Sequence, residues 1–174
     1  EMATDDSSEL EIWARERKRS YFGSFKHFIN SLQEGAVHAE GFRLYYQTNR
    51  KIITNSPGTR RVDWPQYLIS KSEDKKNVIV LQTDNKNFPY LRVDYLEESP
   101  EKRIKEKYRL RSNLTYQSSF IYFPNEKAVI DLYTTNSKDP YVPLLYGYWG
   151  WTSRIPDLLP QDFSIEGYEH STIK

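Results

Sequence analysis

Tyr21-Phe22-Gly23-Ser24-Phe25-Lys26-His27-Phe28-Ile29-Asn30-Ser31-Leu32, followed by Glu40-Gly41-Phe42-Arg43-Leu44-Tyr45-Tyr46, decides the fold class, because the apolar spacing changes between the two stretches. Up to Leu32 the apolar residues step by three or four. Leu10, Trp13, Tyr21, Phe25, Phe28 and Leu32 form a stripe, widened by Phe22 and Ile29, which predicts one amphipathic helix over about 9–33. Ser8 and Glu11 fit a capping box at its start. Gly35 or Gly41 can stop it, so the helix is expected to run to 33, with a further turn as far as 40. Gly23 within the stripe costs about 1 kcal/mol relative to Ala, which predicts either a bend or a close neighbour.

From Gly41 the period is two. Phe42–Tyr46, Val78–Leu81, Tyr90–Leu96, a short segment at Tyr108–Leu110, Thr115–Phe123 and Ala128–Tyr133 read as six strands. Asn55-Ser56-Pro57-Gly58 and Pro124–Lys127 read as turns, and Asn136–Pro143 as a loop. The charged run Glu97–Arg111, interrupted by Pro100, reads as a solvated loop feeding the Tyr108 strand. Gly147–Trp151 reads as irregular, with a short helical turn over Trp151–Leu159. The expected fold is α+β, a helix packed on an antiparallel or mixed sheet of about six strands. Residues 1–8 are expected to fray, 9–168 to form one domain and 169–174 a tail.

A chain of 174 residues has enough core to fold without a metal or disulfide. Only 37% of it is apolar, but 14 Tyr, 8 Phe and 4 Trp supply large rings in place of aliphatics. The formal charge of +1, from 25 basic and 24 acidic residues, disfavours nucleic acid as a partner. With no cysteine, thiol catalysis, thiolate metal sites and disulfides are excluded. No stretch approaches the ~18 apolar residues of a membrane span, so none is expected.

The three histidines, His27, His38 and His170, lack the clustered partners that zinc requires, and no cofactor is expected. No phosphate-cradling glycine loop and no G-x-S-x-G elbow occurs. Glu97-Glu98 and Asp5-Asp6 are adjacent pairs and read as solvated. Arg15-Glu16-Arg17-Lys18-Arg19 reads as the wet face of the first helix. No enzymatic signature rises above this background. The densest aromatic feature is Tyr146–Trp151, where Tyr148, Trp149 and Trp151 flank Gly147 and Gly150. Its rings suit either core packing or a partner platform.

Two blocks carry a resemblance. Trp13 with Arg19–Leu32 and Glu40-Gly41-Phe42 is similar to a Y-[YF]-G-S-x-x-H-F-L-x-x-L … E-G-F pattern. Gln117-Ser118-Ser119-Phe120-Ile121, Val129-Ile130-Asp131 and Gly147–Trp151 leading to Asp157-Leu158-Leu159-Pro160 are similar to Q-T-S-x-[IL], V-x-I-D and G-Y-W-[GA]-x … [DE]-L-L-P. Together they resemble the C-terminal region of bacterial, Bacteroidota-type carboxypeptidase-like regulatory domain-containing proteins. The chain departs from that pattern after Asp131, where Leu132-Tyr133-Thr134-Thr135 replaces a short Asp-Gly-Asn turn. The resemblance implies an exported protein, periplasmic or outer-membrane associated, with an upstream β-sandwich regulatory domain. In that setting Glu1 preceding Met2 suggests a fragment. It implies no catalytic residue and no cofactor. The expected function is a binding or scaffold module of the envelope with a protein or glycan partner. The alternatives are a carboxylate-based hydrolase of glycan or peptide and a pocket for a small apolar ligand. His27, Tyr148, Trp149 and Trp151 are the candidate interaction or structural residues.

Overall fold

A computed structural model describes residues 7–50, 58–63, 69–71, 78–82, 87–123, 127–131 and 144–152. The fold is α+β. The N-terminal segment, expected as one helix over 9–33, is two: α1 (Ser7–Tyr21) and α2 (Phe25–Glu34). The break is at Gly23, whose φ of 72° is left-handed. Ser24 then restarts the helix, its Oγ accepting the His27 backbone N–H at 3.1 Å. The chain reverses at Gly35, so the turn over 36–40 does not extend the helix. The side chains of Ser8, Glu11 and Trp13 lie outside the described set.

In place of the expected six strands, the described residues hold eight, in two antiparallel sheets. The first sheet orders β2 (Thr59–Val62), β1 (Phe42–Gln47), β5 (Tyr90–Tyr95), β6 (Gln117–Tyr122) and β8 (Leu144–Gly147). The second orders β3 (Ile69–Lys71), β4 (Val78–Gln82) and β7 (Lys127–Asp131). The strand expected at Tyr108–Leu110 is instead the exit of a short helix, α3 (Lys102–Lys107). Pro100 precedes that helix and does not interrupt it, and Ile104 is the single apolar residue within it. The turn Asn55–Pro57, the turn Pro124–Glu126, the loop 136–143 and residues 153–174, including Asp157–Pro160 and His170, fall outside the described residues.

Register sorts the first sheet into two faces, because neighbouring side chains alternate along each strand. Leu44, Val93, Ser119 and Gly147 stand in one cross-strand row, and Tyr46, Leu91, Ile121 and Leu145 in the next. On this face Phe28, Ile29 and Leu32 of α2 meet Phe42, Leu44, Val93 and Trp149 in one core cluster. Leu81 of the second sheet joins the same cluster, which ties the two sheets together. Full burial of a side chain such as Phe28 contributes about 1.5–3 kcal/mol. The opposite face carries Arg43, Tyr45, Arg92, Asp94, Ser118 and Phe120.

Candidate functional site

Gly23 sits where α1, α2, β5 and the C-terminal aromatic segment meet. Its N–H donates to His27 Nδ1 at 3.1 Å, and its carbonyl accepts the Trp149 indole N–H at 2.7 Å. Nδ1 is therefore the unprotonated nitrogen, and Nε2–H donates to Glu40 Oε2 at 3.0 Å. The ring lies among Tyr21, Phe22, Phe42 and Tyr95, at centroid distances of 5.0, 5.3, 4.9 and 5.7 Å. His27 is 3% exposed, so its two nitrogens serve the chain and not the solvent. A Cβ on Gly23 would stand 2.7 Å from Tyr95 Cδ1 and 2.9 Å from Gln117 Oε1. Both expectations for this glycine hold: the helix breaks and a neighbour packs closely.

The aromatic segment reaches Gly23 from the far end of the chain. Gly147 closes β8 with φ 72°, and a Cβ there would stand 2.5 Å from the Ser118 carbonyl oxygen. That close crossing starts α4 (Tyr148–Thr152), a single turn in place of the irregular segment expected. Ser119 Oγ accepts the Trp149 backbone N–H at 3.1 Å. Trp149 is buried and packs on Phe25 and Phe28 at 5.2 and 5.4 Å. Each ring pair adds about 0.5–1.5 kcal/mol beyond its buried area. The structure thus brings His27 and Trp149 to one point. Tyr148 is half-buried beside the same cluster. Trp151 goes elsewhere: half-buried, it stacks on Tyr108 at 3.9 Å with planes 8° apart.

Beside this knot lies Glu98, which does not have the solvated environment expected of Glu97-Glu98. Burial pushes its carboxyl above the usual range, Gln117 and Arg19 oppose that, and Glu101 adds to it. The Gln117 amide is buried and close enough to favour ionised Glu98, outside full hydrogen-bonding geometry. Burial, with Glu98 and Glu101 nearby, pushes the Tyr148 phenol up to about 12.

On the other face of the sheet is a buried ion pair that sequence reading missed. Arg92 Nη2 lies 3.1 Å from Asp94 Oδ2, and Ser118 donates to Asp94 Oδ1 at 2.6 Å. The register places Asp94 opposite both Arg43 and Ser118, and Arg92 opposite Tyr45, whose ring it covers at 4.2 Å. Burial pushes the Asp94 carboxyl up to about 6, against the pull of Arg92 and Ser118. The alternating pattern Arg92-Val93-Asp94 was the available signal, since period two puts the two charges on one face.

His38 does not join His27. Its Nδ1 donates to the Phe42 carbonyl at 3.0 Å. Among the described residues no group of three or more His, Asp or Glu could hold a metal ion, and no helix is long and apolar enough to cross a membrane. No family model, curated protein or solved structure matches the chain.

Proposed function

We propose that the chain is a non-catalytic binding or scaffold module of the bacterial envelope, a C-terminal region of an exported carboxypeptidase-like regulatory domain-containing protein. The observation that carries the non-catalytic part is the use made of the buried polar groups. His27 and Asp94, at 3% and 2% exposure, each contact two partners inside the chain. A general acid or base must reach substrate directly or through one water. Neither group is placed to do so. The resemblance supplies the envelope setting and the upstream β-sandwich as an intramolecular partner.

One observation favours a carboxylate hydrolase as the second reading. Glu98 is a half-buried carboxyl with raised proton affinity, beside Tyr148 and Arg19. Raised carboxyls of that kind serve as general acids. Incubation with envelope glycans and with peptides separates the readings. The binding module releases no products. Turnover that vanishes in Glu98→Gln, with an unchanged melting temperature, would establish the hydrolase instead. Fractionation of cells making the full-length protein tests the compartment.

A further inference from the structure

The outward-facing chemistry concentrates at the exit of α3. Between Lys102 and Arg111 six cations, Lys102, Arg103, Lys105, Lys107, Arg109 and Arg111, stand against the single carboxylate of Glu106. That carboxylate lies 3.9 Å from Lys102, and Lys105 donates to the Ser112 carbonyl. Arg103, Lys107, Arg109 and Arg111 are exposed, and among the described residues no carboxylate forms an ion pair with them. In their midst is the Tyr108–Trp151 stack, with Tyr108 37% exposed and the Lys107 ammonium 5.3 Å from its ring centre.

The backbone at this point favours a different residue. α3 ends with Arg109 N–H on the Glu106 carbonyl at 3.3 Å and Leu110 N–H on the Lys105 carbonyl at 2.9 Å. This is a Schellman ending, whose left-handed position glycine normally fills. Here Arg109 holds it, at φ 51°, the one non-glycine residue with positive φ among those described. Glycine would be more stable at that position. An arginine there puts an exposed cation directly after Tyr108, the exposed ring of the stack.

We propose that Tyr108, Arg109 and Trp151, flanked by Arg103, Lys107 and Arg111, form a binding surface for an acidic polysaccharide. The inference deepens the binding-module reading and rests on it. The CH-rich face of a sugar ring lies on an aromatic surface, while its carboxylate takes paired N–H donors from Arg109. The remaining cations meet charges on neighbouring sugars. A single-stranded nucleic acid fits less well. Stacked on each other, Tyr108 and Trp151 leave the outer face of the exposed Tyr108 ring for one sugar, and not the run of open faces that successive bases would need.

The test is a titration of the chain with oligogalacturonate, with a neutral maltooligosaccharide of equal length and with oligo(dT), at about 50 and about 200 mM salt. The expected result is salt-sensitive binding of oligogalacturonate, tighter than that of the other two. Arg109→Gly lowers its affinity by about fivefold or more while the melting temperature stays level or rises. Tyr108→Ala weakens it as well. A structural role for Arg109 cannot produce that opposite pair of effects. Absence of oligogalacturonate binding, or tighter binding of oligo(dT), overturns the inference. Arg109→Gly binding that equals the parent's overturns this surface and leaves the module reading standing. Oligogalacturonate shortened during the incubation overturns the module reading itself.

Discussion

Gly23→Ala and Gly35→Ala form a matched pair that measures how tightly the helix break is held. Both glycines are left-handed, at φ 72° and 71°. Each alanine therefore meets the same penalty, about 1–2 kcal/mol for a left-handed L-residue. Each also gains the same small benefit from a less flexible unfolded chain. Their surroundings differ. At Gly35 a Cβ would find nothing within 4 Å, whereas at Gly23 it would meet Tyr95 Cδ1 at 2.7 Å and Gln117 Oε1 at 2.9 Å. Tyr95 and Gln117 are both buried, so relief requires moving β5, β6 or the helix break. Overpacking of this kind costs about 1–3 kcal/mol. Gly23→Ala should thus be destabilised by about 2–5 kcal/mol in total, and Gly35→Ala by only about 1–2. Urea unfolding followed by tryptophan fluorescence gives both values from the shift in midpoint at constant slope. Losses equal within about 0.5 kcal/mol, the spread of ordinary surface substitutions, would refute the close packing at Gly23.

Other outcomes follow from the same contacts. Ser119→Ala removes the acceptor for the buried Trp149 N–H and should cost about 1–3 kcal/mol in urea unfolding, with the fold retained by circular dichroism. Asp94 binds its proton more tightly folded than unfolded, since burial raises its affinity, and Glu98 shifts in the same sense. The Asp94 contribution is therefore largest in acid and is lost as pH rises through about 6, so it makes stability fall between about pH 4 and pH 6.5. Asp94→Asn should remove part of that slope. Urea unfolding at pH 4 and at pH 7 checks this, the variant showing the smaller difference between the two because its amide does not titrate. Arg109→Gly should raise stability by about 1 kcal/mol, worth about 2–4 °C in a chain of this size.

The α+β class was legible because each period is continuous where it matters. Phe42–Tyr46 and Tyr90–Leu96 alternate and became β1 and β5, while Phe25–Leu32 carries the apolar stripe of α2. The break at Gly23 was masked because apolar residues continue through it, and only the φ of that one residue separates two helices from one. Thr59–Val62 escaped notice as an edge strand with two exposed arginines and one buried Val62. Leu144–Gly147 did so because its last residue is the glycine that crosses β6. α3 was hidden by charge, since six of its residues from 102 to 107 include four cations and one carboxylate. Sequence identified His27 and Trp149 as belonging to two blocks. Their meeting at Gly23, 126 residues before Trp149 in the chain, is a product of folding that no local pattern encodes. Glu40 likewise finds His27 across 13 residues through the turn that precedes β1.

His27 and Trp149 are two ends of one packing unit joined through Gly23. A double-mutant cycle of His27→Ala and Trp149→Phe tests it directly, because the phenylalanine keeps a ring but loses the indole N–H that Gly23 accepts. Each single variant should lose stability, and the pair should depart from additivity by more than about 0.5 kcal/mol. Losses that add within about 0.3 kcal/mol would contradict the shared anchor. A His27→Ala protein with unchanged stability but lost binding or turnover would place His27 in a working site instead.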